Sequence, residues 1–198
     1  MISGGIEMKK HLIWLLLAAL LLSGCGREPD RHPEWDASWL RFENHLAAET
    51  PEGFELREQN EILPVVGLFH SSWSAGEGRS NPDATKSSAT VYDAQLELLL
   101  SEEDDEKDAK SSISSWLTNE KQNYKVGDKI KWKNGEQNYQ IYPLLEPKED
   151  SPYIHGAVAF AACGSSAICA QLLCSDAFEG DAVEVLESFL TTVYFGEN

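Results

Sequence analysis

Three of the four cysteines in this 198-residue chain lie close together, at Cys163, Cys169 and Cys174. Two readings suit them. Outside the cytoplasm a disulfide is allowed, and Cys163 and Cys169 flank a predicted turn, so a bridge across that turn is the natural pairing. A loop so short contributes on the order of 2 kcal/mol. Otherwise all three are small buried hydrophobes on central strands. Zinc wants close pairs such as C-x2-C, and the spacing here is C-x5-C-x4-C. Besides His11 near the start of the chain, four histidines, His32, His45, His70 and His155, are scattered along it. His70 and His155 fall on predicted strands and could meet as a metal or general-base pair. A packed or surface histidine is the simpler reading. No serine sits in a G-x-S-x-G elbow, and no S-x-x-K stands in a suitable context. Gly76-Glu77-Gly78 lacks the phosphate fingerprint. The acidic run from Glu102 to Asp108 has no EF-hand spacing, and a helix N-terminus already accounts for it. The expectation is a chain with no catalytic residues, no cofactor and no metal.

The fourth cysteine has a different context. Lys9-Lys10 is followed by an unbroken apolar run of 11 residues, Leu12 to Leu22. That is too short to span a bilayer, which takes about 20 residues, but it has the length of a signal-peptide core. It closes on Leu22-Ser23-Gly24-Cys25, which resembles the lipobox of bacterial lipoproteins. The resemblance implies that residues 1–24 are a signal peptide removed before Cys25. It also implies that the Cys25 thiol accepts diacylglycerol and that fatty acid, palmitate for example, joins it. One acyl chain binds a membrane marginally, and two or more hold it. The protein is therefore expected at the extracytoplasmic face of a cell membrane. Gly26 is not the Asp that signals inner-membrane retention in enteric bacteria, so which membrane stays open. Gly4-Gly5 implies GGN codons like those of a translated ribosome-binding site, so the natural start is expected at Met8.

The net charge is −17, and −18 once the leader is removed. Such a body repels nucleic acid and anionic lipid headgroups, and its charge favours solubility.

Residues 25–34, with GREPDRHP at Gly26 to Pro33, read as a tether. Residues 35–198 read as a single α+β domain. Trp35, Trp39, Phe42 and Leu46 recur at helical spacing, and residues 35–48 read as helix or strand. Thr50-Pro51-Glu52-Gly53 is a turn, and a short strand with Phe54 and Leu56 follows. Val65 to Trp73 is a second β-prone run. Asn81-Pro82 centres a loop over Ser71 to Ser88. Alternation from Tyr92 to Leu100 gives the clearest strand. Ser101 and Asp104 have capping-box spacing before a helix whose stripe is Ala109, Ile113, Trp116 and Leu117. Ile130 and Trp132 lead into Asn134-Gly135, a two-residue hairpin turn, with Tyr139 and Ile141 on the return. A second hairpin spans Tyr153 to Cys174, turning at Gly164-Ser165-Ser166. Its strands are apolar on both faces, hence central. The last helix runs from Asp181 to Tyr194.

This order predicts an antiparallel sheet with packed helices. With Thr50-Pro51-Glu52-Gly53-Phe54 and the ending Glu187-Ser188-Phe189-Leu190, it resembles the PsbP/Mog1-like fold, an α/β/α sandwich that includes DcrB-type lipoproteins. The stripe at Trp35 to Leu46 departs from that family, which opens with a strand. The resemblance covers about residues 40–196. It implies a non-enzymatic binding, assembly or accessory role and no site residues. The expected function is thus a lipid-anchored module that binds an envelope protein or a small ligand. The alternatives are an envelope inhibitor of the immunity type and an enzyme of unknown class.

Overall fold

The structure is a computed structural model, and it describes residues 40–42, 46–63, 68–81 and 90–195. The leader, Cys25, the tether, His32, His45, Trp35 and Trp39 lie outside these residues. The described part falls in one compact unit, Ser38–Asn198.

Antiparallel pairing dominates. The main sheet has the strand order β3 (Phe54–Leu63), β4 (Leu68–Ala75), β7 (Ala94–Glu102), β12 (Ser166–Cys174), β11 (His155–Cys163), β10 (Gln137–Pro147) and β8 (Tyr124–Val126). A further strand, β9 (Ile130–Asn134), also pairs with β10. Short strands β1 (Leu40–Phe42), β2 (Leu46–Ala48) and β13 (Tyr194–Phe195) form a second sheet, and β5 (Arg79–Ser80) pairs β6 (Thr90–Val91). Two helices complete the described elements, α1 (Glu106–Asn123) and α2 (Ala182–Thr192). The class is α+β.

The central hairpin shows why the helices must be there. Most residues of β11 and β12 are buried and none is exposed, so both faces need cover. Alternate residues serve opposite faces. Ala157, Ala159, Ile168, Ala170 and Leu172 meet Leu186, Phe189 and Leu190 of α2. Val158, Phe160 and Cys169 meet Ile113, Trp116 and Leu117 of α1. The layers are helix, sheet and helix. Among the described residues, no helix is long and apolar enough to cross a membrane.

Several local expectations need correction. The residues from Leu40 to Phe42 and from Leu46 to Ala48 are paired strands, so of the two readings the helix is set aside. Leu46, Ala47 and Ala48 are all fully buried, and Tyr194 and Phe195 pair alongside. Helical spacing would have buried one side alone. That pairing also ends α2 at Thr192. The loop expected from Ser71 starts later, because β4 runs to Ala75 and pairs with both β3 and β7. The N-cap of α1 is Asp105, whose carboxylate accepts from the Asp108 N–H at 2.9 Å; Ser101 lies within β7 instead. The first hairpin turns at Gly135-Glu136, one residue later than expected, since Asn134 pairs with Gln137. Gly135 has φ +57, a conformation that glycine adopts without penalty. Asn134 instead caps α2, its amide donating to the Leu190 carbonyl at 3.0 Å. The turn before β3 is as expected, with the Phe54 N–H donating to the Pro51 carbonyl at 3.1 Å.

Candidate functional site

The apolar stripe of α1 continues onto a carboxylate. Ala109, Ile113, Trp116 and Leu117 place Glu120 next on the same face, where it is only 7% exposed. Gln171 of β12 meets it, the amide Nε2 donating to Glu120 Oε2 at 2.7 Å. Gln171 lies opposite Glu97 of β7 in the strand register. Glu97 Oε1 accepts from Gln95 Nε2 at 2.8 Å, and Gln95 Oε1 accepts from the Tyr153 hydroxyl at 3.0 Å. A polar row thus crosses the sheet beside the end of α1. Beside it opens a cleft of about 310 Å³, lined in part by Glu120, Tyr124, Glu149, Asp150 and Gln171.

Burial pushes the Glu120 carboxyl up to about 7. The Gln171 amide opposes this by favouring the ionised form, and the charge of Glu97 adds to the rise. Glu120 can therefore hold or release a proton near neutrality. The Cys169 thiol is pushed well up by burial, reinforced by Glu120 and Glu97, so it is no ready nucleophile. Burial raises the Tyr124 and Tyr153 hydroxyls too. Three carboxylates, the amides and an aromatic ring suit a ligand that donates hydrogen bonds or carries positive charge.

The residues singled out from sequence are not brought together. Cys163 and Cys169 cannot bridge. Cys163 is opposite Ser166, and Cys169 is opposite Phe160, three residues further along, so their side chains leave opposite faces. Cys163 packs on the α2 side and Cys169 on the α1 side. No disulfide joins them, and Cys169 and Cys174 are buried thiols. His70 and His155 are on opposite faces, and two strands separate theirs. His70 Nε2 lies 3.8 Å from Glu97 Oε2. Among the described residues no group of three His, Cys, Asp or Glu side chains could hold a metal ion. Trp73 is core: it is fully buried, 5.5 Å from Phe189 between ring centroids, and its Nε1–H donates to Thr50 Oγ1 at 3.3 Å.

No protein-family model matches the chain, and no curated protein matches it. Two solved structures are similar. One is a Bacteroides thetaiotaomicron protein at 14% identity and TM-score 0.35, over 77% of this chain and 45% of that one. The chain thus spans less than half the length of that relative. The other is the solution structure of cyanobacterial PsbP (CyanoP) from Synechocystis, at 12% identity and TM-score 0.44, over 86% of this chain and 99% of that one.

Neither Glu120 nor Gln171 falls in a sequence motif. Their signal was present. Glu120 falls at the helical spacing of the apolar stripe, and Gln171 falls between Cys169 and Leu173 in strict alternation. A polar residue at a position that the period assigns to the core marks a site worth testing.

Proposed function

We propose that the chain is a lipid-anchored binding module at the extracytoplasmic face of a bacterial membrane, and that the cleft beside Glu120 is its ligand side. The observation that carries the anchor is the 11-residue apolar run closing on Leu22-Ser23-Gly24-Cys25. Its length fits a leader and not a membrane span, and its last residue is the acyl acceptor. The binding role is supported by the cleft, where the buried acid Glu120 is held by the Gln171 amide. Element order of the PsbP/Mog1-like kind, DcrB-type lipoproteins included, supports an accessory role over an enzymatic one.

Mass spectrometry of the natural product tests the anchor. Its first residue is expected to be an acylated Cys25, and Cys25→Ser is expected to abolish fatty-acid labelling. Any other N-terminus, or unchanged labelling, overturns the assignment. Capture from solubilised membranes tests the module: a resident envelope complex supports it, whereas a toxin or a lytic enzyme favours an inhibitor.

A further inference from the structure

The positive charge of this acidic protein is gathered at one edge of the main sheet. Residues 121–133 hold five lysines against one aspartate, and Lys148 is a sixth lysine close by. The chain as a whole has 16 cationic against 33 acidic residues. Lys125 lies on β8, Lys129 in the link that follows, and Lys131 and Lys133 on β9. Both strands pair with the outer side of β10. Lys131 stands opposite Gln140 and Lys133 opposite Asn138, so these two have neutral cross-strand neighbours, whereas Lys125 stands opposite Glu146. Lys148 donates from Nζ to the Lys121 carbonyl, which draws it to the same end. All six lysines are exposed. Among the described residues, none of them has a carboxylate partner. The helix dipole accounts for Lys121 in the last turn of α1, but not for the other four of the run.

A second feature sits at the same edge. Leu145 of β10 is 51% exposed, at the irregularity between Leu144 and Glu146 where β10 meets β8. The opposite edge also exposes a leucine, Leu56 at 45%, but differs in charge. There β3 begins Phe54-Glu55-Leu56-Arg57-Glu58, and Arg57 is paired with Glu55 at 2.9 Å. About six strand spacings, roughly 29 Å, separate the two edges.

We propose that the β8–β9 lysine edge is the surface that faces the membrane, binding anionic phospholipid headgroups with Leu145 entering the interface. This rests on the anchored reading given above. The 14 residues between Cys25 and Leu40 reach at most about 50 Å, so an anchored body stays beside the bilayer. A net charge of −17 repels an anionic surface, but a body with a cationic edge lowers its energy by turning that edge inward. Lysines beside an exposed aliphatic side chain are the composition that interfacial binding uses. The cleft beside Glu120 would then be presented at a fixed angle to the bilayer.

The experiment is lysine acetylation of the protein purified from membranes, reconstituted on phosphatidylcholine vesicles and on vesicles with added phosphatidylglycerol, and read by mass spectrometry. Lys125, Lys129, Lys131 and Lys133 are expected to react several-fold more slowly on the anionic vesicles. Lys107 and Lys110 on α1 serve as controls and should not change. Salt at about 0.5 M, where the Debye length is about 4 Å, should erase the difference. Changing all four lysines to Gln, or Leu145 to Ser, should weaken protection of the remaining edge lysine, Lys148. Equal rates on both vesicles, or uniform protection of all lysines, overturn the proposal. Protection on both vesicles that grows with protein density assigns the edge to a second copy and also overturns it. Flotation separates this from the anchor. Flotation with neutral vesicles at any salt supports the anchor. Flotation with anionic vesicles alone, and only at low salt, sinks the anchor and keeps the edge. No flotation with either sinks both.

Discussion

The two faces of the central hairpin are buried by different means. Under α2 the cover is apolar and continuous. Trp73, Leu96, Leu98, Leu100, Ile141, Ile168, Leu172, Leu186 and Leu190 are at most 1% exposed. The only orphaned buried hydroxyls among the described residues are Ser71 and Tyr139, and Tyr139 belongs to this cluster. Under α1 the cluster is smaller, and Ile113, Trp116 and Leu117 are half-buried. Its edge is the polar row of Gln95, Glu97, Gln171 and Glu120. One face is closed and supplies stability. The other gives up part of that stability by burying an acid beside an open cleft, the side proposed above for a ligand.

The largest expected effect tests the first half of that contrast. Phe189 is 2% exposed and meets Trp73 edge-to-face. Phe189→Ala removes a ring and leaves a cavity, at a cost of about 3–5 kcal/mol in urea unfolding. Trp116→Ala on α1 removes a half-buried ring and is expected to cost about half as much. Equal losses would mean that the two faces carry the fold alike.

The second prediction concerns the other face. The Glu120 carboxyl sits at about 7 when folded, against 4.5 as the ordinary value. A raised carboxyl means that the folded state binds the proton more tightly than the unfolded chain. Its contribution is therefore fully present below about pH 4.5 and is lost as pH rises through about 7. Above that, ionised Glu120 costs on the order of 3 kcal/mol. Glu120→Gln keeps an acceptor for the Gln171 amide and carries no charge. It should stabilise the protein by about that amount at pH 8 and change little at pH 4. Parallel pH–stability curves for the two proteins would show that Glu120 does not titrate near neutrality, and the contrast between the faces would lose its electrostatic side.

How much of this was legible in the sequence depends on whether period and burial agree. In β7 they agree: Ala94, Leu96, Leu98 and Leu100 are all buried, as alternation requires. In the last helix the apolar stripe of Ala182, Val185, Leu186, Phe189, Leu190 and Val193 is buried except at Val185, which is half-buried. Where elements are three residues long there is no period to read, so the spacing of Trp35 to Leu46 leaves that segment open between helix and strand. The α1 cap was misplaced because Ser101, Asp104 and Asp105 all have capping side chains. The disulfide turned on a single residue. A three-residue turn at Gly164 to Ser166 would set Cys163 opposite Ala167 and put Cys169 on the same face. The actual two-residue turn sets it opposite Ser166, which sends Cys169 to the other face. For the site, the polar residues were visible, but the partner each one meets comes from pairing between distant strands.

The smallest predicted effect sharpens the contrast at the helix ends. Asp181 accepts from two backbone N–H groups, Val183 at 2.8 Å and Glu184 at 3.1 Å. Asp105 accepts from one, Asp108. Acidic neighbours surround Asp105, and Glu103 nearby is held by the Ser112 hydroxyl at 2.6 Å, so the start of α1 has other support. Asp181→Ala is expected to cost about 1–2 kcal/mol, and Asp105→Ala about 0.5–1 kcal/mol. The difference should appear in hydrogen exchange as well. Loss of the α2 cap should lower protection across β11 and β12, because α2 covers them, whereas loss of the α1 cap should stay within the first turn of α1. If the α1 variant instead exposed β12 amides near Gln171, α1 would be as tightly coupled to the sheet as α2, and the cleft would belong to the rigid part of the fold.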